Sequence, residues 1–210
     1  VAKIITMDFY GKGGGVAWPY FVALDGDLQQ VRIADLTDEG GTVINAGGYG
    51  SGRPLINEHL PTRARRLAGS IKTHPKLDCH SFFSRFIVTD KVRQIIERFE
   101  PGIHQFFPIT VTQSKKDHEY GDYFILHVCQ RFDGLDPVRA QPRNHRGCLV
   151  EGADGTRKLI LSRDRIKGYH LWHEKNVALG ISGAFMSDEL FDALCQAGVT
   201  GLRGTEVPEV

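Results

Sequence analysis

Residues 83–112 read FSRFIVTDKVRQIIERFEPGIHQFFPITVT, and this stretch decides the fold class. Phe83–Thr89 has the aromatic and β-branched composition of a strand. From Asp90 to Phe99 the period changes. Val92, Ile95, Ile96 and Phe99 stand at i, i+3, i+4 and i+7, which makes one apolar helical face. Thr89 is placed as N-cap, and Asp90 sets negative charge against the positive end of the helix. Pro101-Gly102 stops it. Phe106–Thr112 then returns to alternation, with Phe107, Ile109 and Val111 on one side. Pro108 has no N–H for a ladder, so this strand is expected at an edge or at a bulge.

The same order recurs near the end of the chain. Phe-Ile-Val-Thr-Asp-Lys-Val (86–92) is echoed by Ala-Phe-Met-Ser-Asp-Glu-Leu (184–190). Each is a strand, a hydroxyl cap, an Asp and an amphipathic helix, followed by Gly102-Ile103 in one case and Gly198-Val199 in the other. The second helix, Asp188–Ala197, buries Leu190 and Leu194, with Ser187 as cap and Gly198 at C′. Any strand–helix–strand unit shares these features, so the echo does not by itself establish a repeat. Tyr120–Gln130 is apolar on both faces and should be a central strand. Arg157–Leu161, Val177–Met186 and Val199–Val207 are further strand candidates. The pattern predicts an α+β fold: a mixed, mainly antiparallel sheet with two or three packed helices.

The first 80 residues are richer in glycine and turns. Lys3–Phe9 and Val16–Leu24 are expected strands around a flexible Gly11–Gly15 turn. Thr42–Asn45 is a short candidate, and Arg63–Ile71 is expected as a short helix. Residues 1–210 are read as one domain. Residues 1–80 form a less regular N-terminal subdomain, and 81–210 form the strand–helix–strand core.

Composition narrows the function classes. With 210 residues and 41% hydrophobic content, the chain can build its own core. No apolar run approaches the roughly 18 residues of a membrane helix, and no signal-like stretch opens the sequence. Cys79, Cys129, Cys148 and Cys195 are scattered without a CxxC pair, which points to a reducing compartment, the cytoplasm. Net charge is +1, with no domain of nucleic-acid type.

Three blocks carry a family resemblance. The first is Phe86-Ile-Val-Thr-Asp, its helix, and Gly-Ile-His-Gln-Phe-Phe-Pro-Ile (102–109). The second is Tyr123-Phe-Ile-Leu-His-Val with Phe132-Asp-Gly-Leu-Asp. The third runs from His170-Leu-Trp172 through Ala184-Phe-Met-Ser-Asp and its helix to Ala-Gly-Val-Thr-Gly-Leu (197–202). Over roughly residues 83–204 this order resembles immunity protein family eleven of bacterial polymorphic-toxin systems. The resemblance implies a cytoplasmic antitoxin that binds a cognate toxin domain, with no catalytic residues and no cofactor, membrane or direct nucleic-acid partner. It assigns no binding residue.

Rival chemistries are weighed on their own residues. Asp78-Cys79-His80 and His170-Leu-Trp-His173-Glu174 hold metal-ligand types but not a metal spacing, and no metal is expected. Gly48-Tyr-Gly50-Ser-Gly52-Arg53 would cradle phosphate only if a helix N-terminus came next, and Pro54-Leu-Ile-Asn could begin no more than a short one. An enzyme with a nucleotide-directed site around Gly48–Arg53 is the alternative to an immunity protein. Adjacent Cys79 and His80 are not evidence for a nucleophilic triad, which is built by convergence in space. The Arg63–Arg66, Arg139–Arg146 and Arg157–Lys167 clusters lack interleaved aromatics and fit a solvated face. Asp133-Gly-Leu-Asp136, and Asp38 with Glu39, are expected to meet a cationic toxin cleft, against the ordinary role of Asp in bonding its own turn. Trp172, Trp18 and Tyr49 are the expected aromatic anchors, although Trp172 fits a core position equally well.

Overall fold

The computed structural model describes residues 1–10, 15–16, 21–34, 51–66, 76–83, 85–113, 118–177 and 183–210. The fold is α+β and rests on two six-stranded sheets. In the first, β1 (Lys3–Tyr10) is flanked by β13 (Phe185–Met186) and β14 (Gly201–Glu206), both antiparallel to it. β2 (Gly15–Val16) also pairs with β1. β12 (Leu171–Glu174) extends the sheet beyond β13, and β11 (Arg131–Phe132) pairs parallel to β12. The second sheet has the order β3 (Phe21–Ala23), β6 (Arg63–Arg66), β9 (Gln105–Gln113), β10 (His118–His127), β8 (Arg85–Val88), β7 (Cys79–Phe82). A two-stranded ribbon, β4 (Arg32–Ile33) with β5 (Leu55–Ile56), stands apart.

The sequence echo corresponds to a shared topology. β8 leads through α1 (Asp90–Phe99) to β9, and β10 lies between the two strands, antiparallel to both. β13 leads through α3 (Asp188–Gln196) to β14, and β1 lies between them in the same way. Both units are split β-α-β motifs, each completed by a strand from elsewhere in the chain. α1 and α3 pack together within one core that takes Ile5, Met7, Leu171 and Met186 from the first sheet and Phe86, Val88 and Leu126 from the second.

Alternation along the strands divides the cores. Ile5 and Met7 of β1 face the helices, whereas Ala2 and Ile4 face a second cluster with Trp172, Phe185, Leu135 and Leu161. In β10, Leu126 faces the helices while Tyr123 and Ile125 face a third cluster, which Val31, Ile33, Leu55 and Leu60 cover. This is the period-2 geometry of a strand buried on both sides, so β10 is central, as its composition predicts.

Local chemistry sets the helix ends. α1 begins after Thr89, but the Thr89 hydroxyl donates to Asp78 Oδ1 (3.0 Å) and makes no cap bond. Ser187 does cap α3, accepting from the Leu190 N–H at 3.2 Å, and Gly198 at φ +65° lies just past its C-terminus.

Several expectations need correction. Arg63–Arg66 is not the start of a helix. It is β6, parallel to β9 from Arg63↔Thr110 to Arg66↔Gln113. β9 is therefore an interior strand, not an edge. Pro108 is tolerated because β6 pairs only from Thr110 onward. The Thr110 N–H donates towards β6, to Thr62 O at 2.9 Å. The Pro108 nitrogen shares that orientation and points where no neighbouring strand has begun, so no ladder bond is lost. Around Arg157–Leu161 there are isolated bridges in place of a strand: Gln141↔Lys158, Leu135↔Leu161 and Leu161↔Glu209. Of Val177–Met186, strand is found at Phe185–Met186, with a bridge at Val177. Thr42–Asn45 lies outside the described residues. The first 80 residues supply β1 and β2 to the first sheet, and β3, β6 and the start of β7 to the second.

Candidate functional site

The segment between β11 and β12 carries the loop singled out from sequence. It is short of regular structure, with only the one-turn α2 (Arg163–Ile166). Bridges and apolar side chains pin it to the first sheet, with Leu135, Ala140, Leu149 and Leu161 fully buried. Residues 133–169 hold eight of the 26 Lys and Arg residues but only five of the 25 Asp and Glu, so positive charge is concentrated here. Arg139, Arg146, Lys158, Arg163, Arg165 and Lys167 are exposed.

Asp133 and Asp136 sit at the start of this segment, and both already have partners. Asp133 Oδ2 accepts from Arg165 Nη1 at 2.7 Å. Asp136 Oδ1 accepts the N–H groups of Val138 (3.1 Å) and Arg139 (2.6 Å), and the Arg139 bond first among them lowers its pKa below the ordinary carboxylate range. That is the turn-building role of an aspartate. Trp172 is fully buried on β12, stacked between Phe132 and Phe185 with both ring centroids at 5.7 Å, so it belongs to the core and presents no surface to a partner. Asp38, Glu39, Tyr49 and Trp18 lie outside the described residues.

Of the glycine-rich stretch, Ser51, Gly52 and Arg53 are described. Gly52, at φ +67°, backs onto Arg131 so closely that a Cβ would collide with it. The Arg53 carbonyl accepts from His127 Nε2 at 2.6 Å. The next element in the chain is β5, a strand, whereas a phosphate cradle needs a helix N-terminus there.

The buried polar groups form a network that sequence reasoning missed. Glu100, at the end of α1, accepts from His104 Nε2 (2.7 Å), Gln130 Nε2 (2.7 Å) and the His170 N–H (2.8 Å). Burial opposes its charge, but these bonds outweigh it and hold its pKa below the ordinary range. His104 Nδ1 accepts the Cys129 backbone N–H at 3.2 Å. The ring proton therefore sits on Nε2, and the nitrogen that a Cys–His pair would need faces an amide instead of the thiol. Burial pushes the Cys129 thiol up to about 11, so it is no nucleophile at neutral pH. Burial also holds His127 at about 4 and His173 at about 3. The only local signal for this network was polar residues set among apolar ones, and every surface loop shares that signal.

The remaining ligand-type residues are also committed. Asp78 accepts from the Thr200 N–H, Lys91 Nζ and Thr89 Oγ1, tying β7 to α1 and β14. His80 packs among Phe21, Tyr120 and Tyr123, and His170 Nδ1 lies 2.8 Å from Ser187 Oγ. Among the described residues no group of three His, Cys, Asp or Glu is placed to hold a metal, and no helix is long and apolar enough to cross a membrane.

Comparison with known proteins gives one clear result. No curated protein matches the chain. A family model described as an immunity protein family, Imm11, matches residues 31–208. That span begins well upstream of residue 83, where the motif resemblance starts. It takes in β6 and β7 of the second sheet and the β4–β5 ribbon, and leaves out β3. The chain belongs to the Imm11 family of immunity proteins.

Proposed function

We propose that this protein is an antitoxin that neutralises one cognate secreted bacterial toxin by stoichiometric binding, covering its active site or substrate entrance, in the cytoplasm of the cell it protects. The family match over residues 31–208 carries this reading. The commitments of the polar groups support it: Cys129, His104, His127 and Glu100 are engaged in holding the fold. Occlusion needs no chemistry. It needs a pre-formed surface that buries on the order of 1,600 Å² in total, with a few anchors carrying most of the energy. The 133–139 loop is the first candidate for that surface. Asp38, Glu39 and Tyr49 stay candidates on sequence grounds.

The test is co-expression with the toxin domain encoded beside it, then co-purification and a toxin activity assay. A one-to-one complex with the activity blocked is the expected outcome. Protection at far below one antitoxin per toxin would mean catalysis and would overturn the reading.

A further inference from the structure

We infer that the turn at residues 136–140 is a preformed knob that seats Val138 in an apolar recess of the toxin, with a carboxylate-rich rim meeting the cations around it. This rests on the antitoxin reading above and specifies its contact surface. The occupant is an acidic face of a protein.

Val138 is 76% exposed, the most exposed large hydrophobic side chain among the described residues. Its turn is not loose. Asp136 Oδ1 accepts the Val138 and Arg139 N–H groups, and Gln141 Nε2 donates to the Val138 carbonyl at 3.2 Å. The Ala140 N–H donates to Asp136 O, and the Asp136 N–H donates to Ile160 O. Arg143 braces the turn from within: Nε donates to Ala140 O (3.1 Å), Nη2 to Asp136 O (3.1 Å) and Nη1 to Gly147 O (2.8 Å). Every one of these backbone groups is satisfied without a partner molecule. The segment therefore has its shape before binding, and little ordering entropy opposes association. Held out to water, the Val138 side chain contributes nothing to the core, and the rigidity of its turn is what suits it to insertion in a recess.

Charge complementarity identifies the partner. Arg139 follows Val138, and Lys158 pairs with Gln141 across the bridge, so exposed cations border the knob. Asp136 offsets part of this charge through its attraction to Arg139 and Arg165, and Asp133 pairs with Arg165, but over residues 133–169 eight cations against five carboxylates leave the surface positive. The acidic loop legible in the sequence is thus the scaffold of a basic surface, and the expected sign of the interface is reversed. An acidic rim on the toxin would speed encounter and fix orientation.

The experiment measures binding of the full-length protein to a catalytically inactivated form of the toxin domain encoded beside it, with thermal melting of each variant. Val138→Glu is expected to weaken the complex at least a hundredfold with an unchanged melting temperature. Arg139→Glu with Lys158→Glu is expected to slow association at least tenfold and to flatten its salt dependence. Val22→Glu, an exposed change on the edge strand β3, is expected to bind like the parent. Unchanged binding by the Val138 and Arg139/Lys158 variants, in a protein that still forms the complex, would overturn the inference and leave the antitoxin reading intact. A wild-type protein that binds no toxin would overturn both. Loss of affinity for a single-stranded RNA or a DNA duplex at physiological salt in the Arg139/Lys158 variant, with toxin binding unchanged, would overturn it in favour of a nucleic-acid surface.

Discussion

The two split β-α-β units and the segment at 133–169 are built by different forces. In the units, apolar periodicity does the work: α1 buries Val92, Ile95 and Ile96, and α3 buries Leu190 and Leu194. In the segment, side chains bond to backbone, as Asp136, Arg143 and Asn144 do, and a few buried leucines hold the rest down. The first kind of structure tolerates surface change but no charge inside. The second exposes its side chains freely while each bracing group is needed for its shape. A contact surface is therefore better placed on the second, where rigidity does not depend on burying the outermost residues.

The sharpest way to break this comparison is to put charge on each kind of surface. Val92→Asp and Leu194→Asp should each cost roughly 4 kcal/mol or more, since both positions are 1% exposed and an unpaired carboxylate there must be desolvated. Urea unfolding that shows either variant within a few tenths of a molar of the parent would contradict the shared helical core.

Glu174 ties the two regions together, with Oε2 accepting the Gly134 N–H at 2.9 Å. Burial pushes its carboxyl up from an ordinary 4.5 to about 7, and the nearby Asp133 charge adds to this. The folded state therefore holds a proton that the unfolded chain releases between about pH 4.5 and 7. The stability linked to this group is full below pH 4.5 and is lost as pH rises through 7. Glu174→Gln should start less stable than the parent at pH 4.5, because its amide NH2 must face the Gly134 or Asn176 N–H, and should gain on the order of 3 kcal/mol relative to the parent between pH 4.5 and 8. His127 and His173 act in the opposite sense. Their pKa values lie below the ordinary 6.5, so their contribution is full above that pH and lost as pH falls through about 4 and 3. Melting curves from pH 4 to 8 should show acid loss in both proteins and alkaline loss in the parent alone.

Arg143→Ala should cost about 1–3 kcal/mol by orphaning the carbonyls it serves. Its effect should be local: hydrogen exchange should speed at Val138, Arg139, Ala140 and Gly147 and stay slow in α1. Equal protection at all of these sites would mean that the turn does not depend on the guanidinium. The smallest effect expected is for Asp133→Asn, which breaks a partly exposed pair with Arg165 and should change stability by less than about 1 kcal/mol. A larger loss in a double-mutant cycle would make that pair a brace in its own right.

The units were legible because their information is local. Asp90–Phe99 appears as a helix with the bounds its apolar face predicts, and the second helix agrees to one residue. Elsewhere the deciding neighbour is distant. Arg63–Arg66 has no strand period of its own, and it becomes β6 because β9, nearly 50 residues on, offers a parallel edge. Arg66 is buried against the Tyr120 ring, 4.8 Å from its centroid, a contact no local pattern announces. Asp133 and Asp136 were located correctly as residues of an acidic loop. The partner of Asp133, Arg165, lies 32 positions away and has no local signal, whereas Asp136 takes the local turn role, bonding the N–H groups two and three residues on.

By itself, then, the sequence determined the α+β class, the two amphipathic helices, the Ser187 cap of the second, the central place of β10 and the family resemblance. Each of these comes from periodicity or from short motifs read within about a dozen residues. Only the tertiary structure decided that β10 and β1 complete two like motifs, that Trp172 is core, that Glu100 gathers donors from three segments, and which charges remain outward. These depend on pairings between residues far apart in the chain, and a side chain's exposure and free charge are set by its neighbours in space.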